Sequence, residues 1–193
     1  MNTFWFYAQF GFEHILDVGG FDHMLFLLVL CAGYPLAQWR RVLVLVTAFT
    51  LGHSLTLGLG AAGVKLLSSD VVEFLIPLTI FLTAIETFLS RNAAEPGRPA
   101  LMRRYVLAGV FGLIHGMGFS SQFTEMETEK NLLITWLPFN LGIELGQLLF
   151  VALIVLIGWD MQRIGGLRLS YWTSRLAVLA GLLSVWMMWE RWP

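Results

Sequence analysis

An all-α integral membrane protein of about six transmembrane helices is the fold class this sequence predicts, on three observations. Hydrophobic residues are 57% of the 193-residue chain and charged residues only 13%, against about a quarter charged in an ordinary soluble domain. Mean hydropathy is +0.72. The apolar residues gather in runs near the ~20 residues that cross a ~30 Å hydrocarbon core. The short connections leave no length for a soluble domain, so residues 1–193 read as one transmembrane domain whose lasting partner is the lipid bilayer. A formal net charge of −1 by itself points to neither a nucleic-acid partner nor anionic lipid. The lone Cys31 excludes an intramolecular disulfide. The start MNTFWFYAQFGFEH has no basic region or small-residue cleavage site, so no removable signal peptide is expected.

Residues 1–20 are rich in aromatics (Phe4, Trp5, Phe6, Tyr7, Phe10, Phe12) but too short and polar to span, and are expected to form an interfacial segment in the aromatic belt. Gly19 and Gly20 permit a bend before a first span over about 21–36. The second span, 42–62, carries Thr47, Thr50, His53, Ser54 and Thr56. The third, 71–89, holds Glu73, Pro77, Thr79 and Glu86. RNAAEPGRPALMRR, with its prolines, glycine and arginines, reads as a loop. The fourth span, 105–121, contains Gly109, Gly112, His115, Gly116 and Gly118, and SSQFTEMETEK after it reads as an acidic loop. The fifth, 132–159, contains Asn140, Gly142, Glu144, Gly146 and Gln147. The last, 169–189, is nearly featureless and reads as packing. Trp5, Trp136, Trp159, Trp186, Trp189 and Trp192 read as belt residues at the membrane surfaces.

With these spans, nine of the twelve basic residues, Arg40, Arg41, Arg91, Arg98, Arg103, Arg104, Arg163, Arg168 and Arg175, fall on one side. The positive-inside rule then puts both termini outside. Acidic residues, among them Glu125, Glu127 and Glu129, lean outward and make that face attractive to cations.

The polar residues inside the spans identify a candidate site. In GFEHILDVGGFDHMLF, His14, Asp17, Asp22 and His23 are nitrogen and oxygen ligands placed just ahead of an apolar run. At ~1.5 Å per residue, His53 and His115 lie roughly 15–17 Å into their helices, and Glu144 about 18 Å in from the other side. All three fall near midplane, where an unpaired charge is costly and faces the bundle interior. The expectation is a mouth of His14, Asp22 and His23 above a midplane site of His53, His115 and Glu144. Asp17, Ser54, Asn140 and Gln147 are the supporting polar groups. Asn140, Glu144 and Gln147 share one helix face, and Gly112/Gly116 and Gly142/Gly146 let helices approach closely. Each feature also has a plainer meaning: a lone intramembrane His can be a hydrogen-bonded packing residue, and Asp22 can simply favour a helix start.

Five segments in order, GFEHILDVGGFDHMLFLL, TAFTLGHSLTLGL, VEFLIPLTI, FGLIHGMGFS and FNLGIELGQLL, resemble the HupE/UreJ family of bacterial inner-membrane proteins over about Phe10 to Phe150. The resemblance implies a small polytopic protein associated with acquiring nickel, or a similar divalent metal, for hydrogenase or urease maturation. His14, Asp22 and His23 match the family's N-terminal His…Asp-His element, and His115 with Gly116 its His-Gly element. Ile15 stands where the permease branch has Pro after His, the interval to Asp22 is longer, and the next acid after His-Gly is the distant Glu125. That places the chain nearer the branch with FNLGIELGQ, in which Glu144 is available as the missing carboxylate.

The expected function is a permease or facilitator for a divalent transition metal in the bacterial inner membrane, its metal site facing the periplasm. Imidazole with carboxylate suits nickel, cobalt, zinc or iron. The alternatives are a membrane-embedded zinc hydrolase, with Ser54 beside His53, and haem binding through His53 and His115. FTLGHSL and FNLGIEL share a Phe-x-Leu-Gly-x-x-Leu frame on oppositely directed helices, a trace of an inverted repeat. Which metal, the direction and coupling of transport, and assembly into homo-oligomers are left open by the residues.

Overall fold

The structure, a computed structural model, describes residues 3–92, 97–126 and 132–193. It contains seven α-helices over these residues and no strand among them: α1 Thr3–Leu16, α2 Asp22–Cys31, α3 Trp39–Ala61, α4 Ser69–Ser90, α5 Arg98–Met126, α6 Leu132–Arg163 and α7 Leu169–Glu190. Four segments are long and apolar enough to cross a membrane: Leu36–Ala61, Ser69–Ser90, Arg98–Glu125 and Leu132–Arg163. Helix α5 outruns the expected 105–121 at both ends. Pro99 is tolerated in its first turn, where no intrahelical donor is lost, so the basic residues from Arg98 to Arg104 are helical rather than looped. Ser120 to Met126 likewise continue the helix. The expected outward-facing Glu127, Glu129 and Lys130 lie outside the described residues.

The N-terminal region differs from expectation in an instructive way. Its first aromatics, Phe4, Trp5 and Phe6, are exposed as an interfacial segment requires. From there on, α1 packs on α6, burying Tyr7, Gly11 and Ile15. Glycine makes this approach possible, because a Cβ at Gly11 would collide with the Phe139 carbonyl and one at Gly142 with that of Ala8. Helix α1 runs parallel to α6, with Ala8 against Gly142 and Ile15 against Gly146. The chain then breaks. Asp17 accepts a hydrogen bond from the Gly19 N–H at 2.8 Å and caps the 3-10 turn Val18–Gly20. Helix α2 resumes the descent and ends with Cys31 beside Ile154 and Val155 of α6. Together α1 and α2 make one discontinuous helix, its break opening beside His23.

The closest helix pairs are built alike. In α3/α5, a Cβ at Gly52 would strike the Gly109 carbonyl and one at Gly112 that of Phe49, the same contacts that Gly142 and Gly11 make in α6/α1. Ala8-x-x-Gly11-x-x-His14 thus corresponds to Gly109-x-x-Gly112-x-x-His115, and Phe49-x-Leu-Gly52 to Phe139-x-Leu-Gly142. Helices α3 and α6 run antiparallel, Ser54 bonding Asn140 and Thr50 bonding Gln147, so the two pairs point in opposite directions. The remaining long helices, α4 and α7, also pack antiparallel: Phe74 meets Trp192 at 5.2 Å between ring centroids, and Gly181 meets Ala84. The shared Phe-x-Leu-Gly-x-x-Leu frame therefore marks two inverted units, α1 to α4 and α5 to α7, whose first helices are exchanged.

Candidate metal centre

Four imidazoles converge where these pairs meet. His14 comes from α1, His23 from the first turn of α2, His53 from α3 and His115 from α5. His23 is central, its ring centroid 4.8 Å from that of His14, 5.3 Å from His53 and 5.2 Å from His115. Ligand nitrogens of His14, His23 and His53 all lie within 4.8 Å of one another. A tetrahedral ion with bonds of about 2.1 Å needs them roughly 3.4 Å apart, a difference that small side-chain rotations cover. The expected mouth and midplane site are thus a single cluster rather than two tiers.

The cluster is buried and under-satisfied. His53 and His115 are fully buried and His23 is 6% exposed. Five of its buried ring nitrogens have no hydrogen-bond partner in the protein: His14 Nε2, His23 Nε2, both nitrogens of His53 and His115 Nδ1. Leaving such a group unpaired costs roughly 1–3 kcal/mol, a liability that a bound cation relieves. Phenylalanines close the walls: Phe119 lies 3.8 Å from the His14 ring centroid, while Phe26 and Phe49 lie 5.1 and 5.2 Å from that of His115.

Thr79 of α4 fixes the His115 tautomer. Its hydroxyl donates to the Ile76 carbonyl at 2.7 Å. With its one proton so used, it accepts from His115 Nε2–H at 3.0 Å, which leaves Nδ1 with the free lone pair a metal requires.

The carboxylates sit elsewhere. Glu144 Oε1 accepts from the Thr47 hydroxyl at 2.7 Å. Thr47 precedes His53 by six positions on α3, about 9 Å of helix rise, so Glu144 does not share the imidazoles' depth as expected. Instead it belongs to a set of polar pairs between α3 and α6, Ser54–Asn140, Thr50–Gln147 and Thr47–Glu144, in which Glu144 lies between Asn140 and Gln147 on α6. Glu144 Oε2 and Gln147 Nε2 are buried there without partners. Asp22, next to His23, forms an ion pair with Arg191 beyond the end of α7, at 2.8 Å, and Asp17 is occupied in capping the break. Glu86 pairs with Arg104 at 2.9 Å. Trp136 is turned inward, its indole donating to the Ser54 carbonyl at 3.0 Å. The haem reading fails on space: His23 stands against both His53 and His115, where a porphyrin would have to lie.

Sequence reading missed Thr79, Arg191 and the phenylalanine walls. Nothing local separates Thr79 from Thr83, whose hydroxyl merely bonds its own preceding turn.

Apolar helices of spanning length packed around four clustered histidines define an all-helical membrane protein. The sequence pattern described as HupE / UreJ protein matches residues 1–193, so the chain belongs to the HupE/UreJ family. No curated protein and no solved structure matches it.

Proposed function

We propose that the chain is a permease for a divalent transition-metal ion, nickel or a close neighbour, in the bacterial inner membrane, with the ion as cargo. The observation that carries this reading is the set of buried, partnerless ring nitrogens on four different helix segments. Neutral imidazoles select Ni²⁺, Co²⁺, Zn²⁺ or Fe²⁺ over Mg²⁺ and Ca²⁺. His14, His23 and His53 hold the ion, His115 receives or hands it on, and Asp22 attracts it at the periplasmic mouth. The polar pairs between α3 and α6, which include Glu144, give it a polar route onward. Counting α1 with α2 as one broken crossing, six spans place both termini outside and the arginines inside. A broken helix at a midplane site between inverted units supports alternating access. Family membership supports a role in metal transport and lends the hydrolase alternative no support.

The test is uptake of Ni²⁺, Co²⁺ and Zn²⁺ into proteoliposomes by wild type, His23→Ala, His115→Ala and Glu144→Gln. Loss of uptake in both histidine variants, with a smaller loss in Glu144→Gln, is expected. Uptake unchanged in all three removes these residues from any transport path.

A further inference from the structure

The arginine-rich end of the bundle holds a second built site, far from the histidines. A cavity of about 420 Å³ opens there between the ends of α2, α4, α5 and α7. Tyr34, Ser90, Glu86, Arg91, Arg103 and Arg104 are among the residues lining it. Among the described lining residues three guanidinium groups stand against one carboxylate. Arg104 is committed to Glu86 at 2.9 Å, to the Ser90 hydroxyl at 2.9 Å and to the Tyr34 hydroxyl at 3.1 Å. Among the described lining residues this leaves Arg91, whose guanidinium donates to the Phe88 carbonyl and stacks 3.9 Å over the Phe88 ring, and Arg103, 4.0 Å from the same carboxylate, as cations without a carboxylate of their own. Arg103 is 67% exposed, so its guanidinium is free to swing toward a ligand.

A second hollow, about 190 Å³, adjoins the first and shares Leu30, Glu86 and Arg104 with it. It is apolar, running over Leu82 of α4 and Leu107, Ala108 and Phe111 of α5. Arg104, Leu107, Ala108 and Phe111 follow the i, i+3, i+4, i+7 pattern of one helix face, so the groove climbs about 10 Å from the cationic cavity into the apolar zone. Leu82 and Leu107 are exposed along it.

We propose that this end binds an anionic phospholipid, its phosphate held by Arg91 and Arg103 and one acyl chain laid in the groove between α4 and α5. Positive charge alone would suit any phosphate. The contiguous apolar groove at membrane depth selects the one phosphate source that carries a hydrocarbon chain, and basic pockets between transmembrane helices are the usual seats of such head groups. The site is independent of the metal reading, since none of its residues belongs to the histidine cluster.

The experiment uses the full-length protein purified in detergent. Lipid retention is measured by native mass spectrometry with phosphatidylglycerol or phosphatidylcholine, alongside thermal melting with each lipid and with inorganic phosphate or glycerol phosphate. Two arginines each favouring the anion about fivefold give wild type roughly a twenty-five-fold preference for phosphatidylglycerol. The R91Q/R103Q variant keeps the Arg104–Glu86 pair and is expected to lose that preference while melting normally in phosphatidylcholine. Leu107→Gln should weaken phosphatidylglycerol retention with the arginines intact. Equal retention of the two lipids by wild type overturns the proposal without recourse to any variant. So does an unchanged preference in R91Q/R103Q, or stabilisation by soluble phosphate equal to that by phosphatidylglycerol, which would mark a free-anion site.

Discussion

Helix pairs α1/α6 and α3/α5 meet through the same backbone contacts, yet they present different chemistry to the centre. Gly11 rides over Phe139 and reaches the Ile143 amide; Gly112 rides over Phe49 and reaches the His53 amide. His14 and His115 occupy equivalent positions, but His53 has an isoleucine as its counterpart, and His23 enters from a break that the continuous α5 does not have. The difference separates two roles. Glycine and carbonyl set how the helices cross, whereas the side chains on that frame can be exchanged, and the asymmetric exchange builds the donor set.

Breaking the frame should have the largest effect. Gly112→Val and Gly11→Val each drive a side chain into a neighbouring carbonyl, and overpacking of this kind costs about 1–3 kcal/mol or more. Both variants are expected to lose most folded protein, read as monodisperse yield and melting temperature in detergent. Gly109→Ala is the control. A Cβ there meets only the Ala48 carbonyl at an ordinary 3.5 Å, and the equivalent residue in the other pair is already Ala8. This variant should melt at least as high as wild type, since alanine also favours the helix. A collapse of Gly109→Ala would mean the two pairs are not equivalent.

Removing the chemical asymmetry comes next. His53→Ile gives α3 the residue that α6 carries, and it deletes two buried nitrogens without partners. The melting temperature should rise while affinity for Ni²⁺ or Co²⁺, measured by calorimetry, falls by at least about a hundredfold, as loss of a ligand exceeds the 10–100-fold typical of an outer-shell change. A variant that is less stable and still binds metal would make His53 a packing residue. Thr79→Val probes the shell behind His115. It should reduce affinity about tenfold with the fold intact, and Thr79→Ser, which keeps the hydroxyl, should restore it. Equal losses in both variants would place the effect in packing.

How much of this was legible depends on the range of the signal. Apolar runs of spanning length gave α3, α4 and α6 to within a few residues, because burial in a bilayer acts on every residue of a run. The packing of α1 on α6 left no local signal: nothing near Gly11 records that Phe139 lies against it. The four histidines could be read as one system since an imidazole in an apolar run is rare and costly. Their merger into a single cluster, and the exclusion of Glu144 from it, follow from the break at Asp17–Phe21 and from helix crossings that the linear sequence does not encode locally. The repeated Phe-x-Leu-Gly frame was visible, but its meaning came from the partner helices, where Ala8–Gly11 and Gly109–Gly112 share only a Phe-Gly pair, Phe10-Gly11 and Phe111-Gly112, too short a match to mark a repeat by itself.

The smallest expected effect concerns Asp22, the carboxylate next to His23. Asp22 lies beside His23 and is held by Arg191 through contacts of 2.8 and 3.5 Å, with side chains 13% and 29% exposed. Water reaches the pair, so its loss should change stability by less than about 1 kcal/mol. Its influence on a cation is separate, because Arg191 both occupies Asp22 and adds a like charge to the approach. Arg191→Gln is therefore expected to raise metal affinity by up to about fivefold at low ionic strength, an advantage that fades as salt screens it. Asp22→Asn should lower affinity by a similar factor. Opposite signs in the two variants identify an electrostatic gate at the broken helix, whereas shifts in the same direction would show that the pair acts only by holding α2 to the end of α7.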